Sequence, residues 1–135
     1  MKIKLLLRNL ILALSLVLIV TTGVAQSTLF VFIQIPESIE PIEREEKYGD
    51  PIHRILTTEK AGKVSGGGSM LSAPQVDGTR EIEWIGIDAD LTKPEKGIEI
   101  VKQELIRLGA PVDTVLEIHR ASEIEKLVLT VEGWK

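Results

Sequence analysis

Cysteine is absent from the 135 residues. No disulfide can staple this chain, so its stability must come from an apolar core alone, even in an oxidising compartment. The same absence excludes a lipid anchor on a cysteine after the N-terminal apolar run. Histidine is scarce: His53 and His119 are the only two, and nothing in their spacing resembles a metal-ligand pair. Aromatic residues make up 4% of the chain, which leaves Phe30, Phe32, Tyr48, Trp84 and Trp134 as the landmarks of any packed or binding surface. There is no GxGxxG, no GK[ST] and no nucleophile elbow. Internal repeats and heptads are missing too. These absences remove the usual signatures of nucleotide binding and of serine hydrolysis, and no cofactor is implied.

What is present begins with a basic start, Lys2, Lys4 and Arg8, followed by an uncharged apolar run over 10–20 and the small-residue stretch 21–25. This is the order of a secretory signal peptide, with the cut expected before Gln26. The run is shorter than the roughly 20 apolar residues a membrane span needs. The alternative is an uncleaved anchor, lengthened by Leu5 to Leu7 if Arg8 snorkels. The expected organisation is therefore a signal peptide over 1–25 and a single α+β domain over 26–135, exported to the periplasm or medium and free of the membrane after cleavage. Three of the 16 basic residues and none of the 20 acidic ones lie in 1–25. The remainder thus carries 13 against 20, a net charge of −7. That balance argues against nucleic acid, where phosphates must be neutralised, and against an anionic membrane surface. About 110 residues suffice for one such domain and not for two.

The pattern predicts strands at 29–35, 63–71, 80–91, 112–119 and 123–131. The first is nearly all apolar and so reads as central. The acid- and proline-rich stretch 36–50 reads as a loop with at most one helical turn, with Tyr48 anchoring it. Asp50-Pro51 predicts a helix start and Gly62 its stop. Ser72 to Thr79 carries turn chemistry, making the second and third strands a hairpin. Thr92 and Glu95 form a candidate capping box around Pro94. The stripe Ile98, Val101, Leu105 and Leu108 follows, closed by Gly109. The order β-α-β-β-α-β, then a further strand, predicts an α+β, ferredoxin-like domain with both helices on one face of an antiparallel sheet.

Period-two alternation then divides the sheet into two faces. Leu29, Val31, Ile33 and Ile35, with Ile85, Ile87, Ala89 and Leu91, suit the helix-covered side. Phe30, Phe32 and Gln34, with Ile82, Trp84, Gly86, Asp88 and Asp90, fall on the other. A face that combines aromatics with acids is a candidate binding surface, and Phe30, Phe32, Trp84, Asp88 and Asp90 are its candidate residues. The competing reading is that a second subunit, in a homodimer, or the C-terminal segment covers it.

Chemistry is harder to find. Gly66-Gly67-Gly68 is followed by a turn and not a helix, so it reads as a bulge or a close approach rather than a phosphate cradle. Asp88 and Asp90 are too few oxygens for Ca²⁺ or Mg²⁺. At the end of a strand that leads into a helix, they equally suit a solvated site near the helix dipole. Ser69, His119 and Asp88 make a triad only on paper. No residue is assigned a catalytic or metal-binding role. The acidic stretch 37–46 is either a solvated loop or a partner-binding one.

Tyr48-Gly49-Asp50-Pro51-Ile52, Gly62 through Ser69, Ile87 through Leu91 and Leu105 through Pro111 together resemble small bacterial ferredoxin-like domains of unknown function, some loosely associated with toxin–immunity gene neighbourhoods. The likeness spans roughly 48–118. Its motifs are structural, and the signal peptide departs from cytoplasmic members. The expectation is an exported, non-enzymatic binding domain of inhibitor or immunity type, acting through the open sheet face on a basic protein partner by electrostatic steering. The alternatives are a small metal-dependent or hydrolytic enzyme centred on Asp88, Asp90 and His119, and a structural homo-oligomer.

Overall fold

A computed structural model of the chain describes Gly23 and residues 27–135. Apart from Gly23, the expected signal segment 1–25 and its cut before Gln26 lie outside the described residues. In chain order the elements are β1 (Leu29–Ile35), a long helix α1, β2 (Gly62–Leu71), β3 (Ile82–Leu91), α2 (Pro94–Arg107), β4 (Val115–His119), β5 (Ile124–Thr130) and β6 (Gly133–Trp134). Helix α1 is continuous but changes pitch: it is α-helical over Pro41–Arg44, π-helical over Glu45–Gly49 and α-helical again over Asp50–Thr58. The strands form a six-stranded sheet in the order β2-β3-β1-β4-β5-β6, antiparallel at every pairing. The class is α+β, as the sequence pattern predicts. β3 lies between β1 and β2, and β1 lies between β3 and β4, so each helix connects two strands that are separated by a third.

The aliphatic run of β1 takes the inner position between β3 and β4. There Val31, Ile33 and Ile35 are fully buried. They share the core with Ile85, Ile87, Ala89 and Leu91 of β3 and Leu116 and Ile118 of β4. From the helices come Tyr48, Ile52, Leu56, Ile98, Val101 and Leu105. Each such aliphatic side chain contributes about 1.5–3 kcal/mol by leaving water, which a cysteine-free domain of this size requires.

Four local expectations are corrected. First, 36–50 is not mainly loop, because α1 already begins at Pro41. Proline is tolerated there, in the first turn, where no backbone N–H is needed. Asp50 does not cap a helix; its backbone is helical (φ −64°, ψ −46°) and its N–H reaches back to the Glu45 carbonyl. That five-residue reach lies immediately before Pro51, which has no N–H to offer Lys47. The wider π turn absorbs the missing bond. Second, Gly62 does not stop α1. Lys60 adopts the left-handed conformation (φ 52°). Its N–H bonds the Thr57 carbonyl at 3.1 Å, and Ala61 N–H bonds Leu56 at 2.9 Å, a Schellman ending. Gly62 instead opens β2, where a Cβ would lie 2.4 Å from the Asp90 carbonyl oxygen.

Third, the capping box at Thr92 does not form. The N-cap of α2 is Lys93, without a side-chain bond. Thr92 is used elsewhere: its N–H bonds the Ala61 carbonyl at 2.8 Å and its hydroxyl donates to Lys60. Glu95 pairs with Arg120 at 3.2 Å. Fourth, β4 starts only at Val115, because Asp113 takes a left-handed turn (φ 70°) just before it. The C-terminus of α2 is as expected, with Gly109 at φ 77° and Ala110 N–H bonding the Leu105 carbonyl.

Candidate functional site

The strand registers place the candidate residues side by side. Phe32 pairs with Asp88 on one side and Glu117 on the other; Phe30 pairs with Asp90 and His119. Extended outward, one row reads Gly66, Asp88, Phe32, Glu117, Lys126, and the next reads Lys63, Asp90, Phe30, His119, Ile124. Because side chains alternate across a pleated strand, these rows point away from the fully buried residues of the same strands. Phe30, Phe32, Trp84, Asp88 and Asp90 are all half-buried. The five residues that alternation selects therefore do share one face.

Two edge-to-face aromatic pairs organise it. Phe32 and Trp84 meet at 5.9 Å and 73°, and Phe30 and His119 at 4.9 Å and 75°. The Phe32 ring lies over Gly86, where a Cβ would come within 2.7 Å of the ring. Glycine at 86 is what lets the ring settle onto the sheet beside Trp84. Carboxylates flank the rings. Glu117 pairs with Lys126 at 2.7 Å and lies 3.6 Å from His119 Nε2. Among the described residues, Asp88 and Asp90 carry no ion pair. Ile82, which alternation assigns to this face, packs instead against the core. The register shift between Met70 and Leu71 leaves Glu83 as an extra residue in β3, and such a bulge turns the strand over.

The C-terminal segment does not cover this face. β6 extends the far edge of the sheet, and the Trp134 indole donates to the Lys102 carbonyl of α2 at 3.2 Å, on the helix side. Nor are the enzyme candidates brought together. Ser69 pairs with buried Ile85 on the helix side of β2, whereas Asp88 and His119 lie on the opposite face, so the triad is not assembled. Asp90 and His119 are held apart by Phe30 between them. Among the described residues no cluster of three or more metal-ligating side chains occurs.

The other singled-out features lie on or beside the helix-covered side. The triple glycine lies within β2, with a bulge at Ser65 just before it. The Arg44 guanidinium lies over Gly67, 3.3 Å from where a Cβ would be, and pairs with Glu45 at 2.8 Å. Within the acidic stretch, Glu37 is held by Lys47 at 2.9 Å. Lys47 also sits 5.1 Å over the ring of Tyr48. Tyr48 is fully buried, and that burial, with the Glu37 carboxylate beside it, pushes its phenol up to about 12. It anchors the segment as expected, from within a helix rather than a loop. His53 is spent on structure as well, its Nδ1 accepting from the Val64 N–H at 3.2 Å.

Glu117 and Lys126 belong to the open face and are missed by sequence reasoning. Their signal is the alternation of Val115, Glu117 and His119 against Leu116 and Ile118, which marks β4 as a second two-sided strand. What the fold defines is a small α+β domain with one sheet face under helices and the other left to aromatic and acidic side chains. Among the described residues, no helix is long and apolar enough to cross a membrane. Comparison with protein-family models, with curated proteins and with solved structures finds no match.

Proposed function

We propose that this chain is an exported, non-enzymatic binding domain of inhibitor or immunity type, whose open sheet face takes a basic protein partner. One observation carries the reading. Phe30, Phe32 and Trp84 stand half-buried on the open face beside two carboxylates, Asp88 and Asp90, that form no ion pair among the described residues. Aromatics supply contact area at low entropic cost, and unpaired acids supply sign selectivity. The net charge of −7 over 26–135 favours approach of a basic partner. Export is supported by the basic start and apolar run of the N-terminus, and the inhibitor or immunity type by the resemblance spanning 48–118.

The test is surface plasmon resonance of the protein against a panel of small basic and small acidic proteins. Saturable, salt-sensitive binding to basic members only is expected, with loss of that binding in the Phe32→Ala/Trp84→Ala double variant. Equal binding by the double variant would falsify the assignment of the face.

A further inference from the structure

The open face ends at an exposed edge, and the two edges of the sheet differ. β6 closes one with two residues, whereas β2 forms the other with ten and pairs only with β3. Long edge strands are ordinarily blunted by proline, by charge or by a covering element, because their outer N–H and C=O groups are a template for a further strand. β2 contains no proline, and its only charge is Lys63 near its start. At that end His53 already occupies the N–H of Val64. Beyond the bulge at Ser65, Gly66 to Met70 runs in unbroken register with Asp88 to Trp84. Among the described residues no hydrogen bond outside the β2–β3 ladder engages the backbone of 66–70.

Glycine weakens a strand interior, so three in succession need a reason. Two have a local one. A Cβ on Gly67 would lie 2.8 Å from the Gly86 carbonyl oxygen, and one on Gly66 would lie 3.1 Å from Asp88 Oδ2. Gly68 has none: nothing lies within 4 Å of its Cβ position, and its φ is one that any residue adopts. On the open face Gly66 and Gly68 thus form a bare strip leading from the free edge to Asp88. Asp88 is also the odd acid of this face. Asp90 has Lys63 as its cross-strand neighbour and Glu117 has Lys126, but Asp88 stands between Gly66 and Phe32.

We infer that β2 accepts an extended peptide segment as a seventh strand along Gly66 to Met70, with a lysine or arginine of that segment lying across Gly66 onto Asp88. The inference rests on the reading of the open face as a partner surface and names what the partner offers. Main-chain bonds to the edge supply affinity, and alternate side chains supply selectivity. The added strand sits two spacings from β3, about 10 Å, a gap that a long basic side chain bridges only because no side chain stands at 66. Two residues along, a bulky side chain fills the space over Gly68. Four along, an apolar one meets exposed Met70, whose cross-strand neighbour is Trp84. The partner segment is therefore extended and basic at one position, with bulky and apolar side chains at the second and fourth positions after or before it.

The experiment is fluorescence anisotropy of the whole protein with a labelled heptapeptide of alternating threonines, presenting arginine, leucine and leucine on one face. Saturable binding is expected, weakened at least about ten-fold when the arginine becomes glutamate or in Asp88→Asn, as for a lost charge-assisted hydrogen bond. Gly68→Lys, which meets no steric obstacle and places an ammonium diagonal to Asp88, should abolish binding with an unchanged melting temperature. A peptide N-methylated at alternate amides should not bind. Equal binding by that peptide, equal affinity in Asp88→Asn, or no binding of any peptide overturns strand addition. If strand addition fails while Phe32→Ala/Trp84→Ala still loses a basic protein, the open face stands as the site without its edge. If both fail, the functional reading falls with it.

Discussion

The same three strands present two surfaces of opposite character. On one side, Ile33 is fully buried between Ile87 of β3 and Leu116 of β4, in the core that the helices share. One residue away, Phe32 lies half-buried over a glycine, edge-to-face with Trp84. The covered side is tightly packed where α2 meets β3: Gly97 brings the helix backbone so close that a Cβ would lie 2.9 Å from Leu91 Cδ2. The open side has a gap above Gly68. The buried charges of the covered side, Arg44 and Glu104, are paired with Glu45 and Arg107. The open side leaves Asp88 and Asp90 without an ion pair among the described residues. Stability thus resides on the covered side, where close packing leaves little room for substitution. Packing demands fix the first surface, whereas nothing in the fold requires the second to carry aromatics beside acids.

Truncating neighbours on opposite faces should give unequal losses of stability. Ile33→Ala should cost about 2–5 kcal/mol in urea denaturation, the range for a fully buried aliphatic. Gly97→Leu should cost about 1–3 kcal/mol by overpacking the helix against Leu91, whereas Gly68→Leu should stay within about 0.5 kcal/mol. Phe32→Ala should cost about 1–2 kcal/mol, set by one aromatic pair and partial burial. If Phe32→Ala matched Ile33→Ala, the open face would be covered in solution, and light scattering would show the second copy. Tyr48 tests the covered side by pH. Its phenol is raised to about 12 from an ordinary 10, so the folded chain keeps a proton that the unfolded chain releases. Stability from this source is full below pH 10 and declines as pH rises through about 12. Tyr48→Phe should remove that decline, as read by denaturation midpoints between pH 9 and 12. The smallest effect is Asp88→Asn, whose melting temperature should barely move, because among the described residues the carboxylate makes no ion pair or side-chain hydrogen bond.

Much of this architecture is legible in the amino-acid pattern. The period-two patterns of β1 and β3 assign most of their residues to the correct faces, because a strand's alternation depends only on its own backbone. The end of α2 is legible because Gly109 and Pro111 act locally. The failures share a cause, which is that a distant partner takes the residue. Thr92 is bonded across to 60–61 and so cannot cap. Ile82 turns inward because a bulge consumes Glu83. The stretch 36–50 looks like loop because acid and proline read as breakers, yet Pro41 sits where helices accept it and Tyr48 draws the segment onto the core. For the site, alternation identifies Phe30, Phe32, Trp84, Asp88 and Asp90. It cannot show that Lys63 and Lys126 neighbour Asp90 and Glu117 while no cation neighbours Asp88 across the strands, since register is a property of strand pairs.

The placement of β6 has a practical bearing. It lies five strand spacings from β2, about 24 Å across the sheet, and its Trp134 is fastened to α2 by the indole bond to Lys102. A tether attached through Lys135, which pairs with Val128 at the end of that edge, therefore leaves from the rim opposite the glycine strip. Molecules immobilised in that way stand with the glycine rim outward, which makes the attachment point itself a means of orienting the domain.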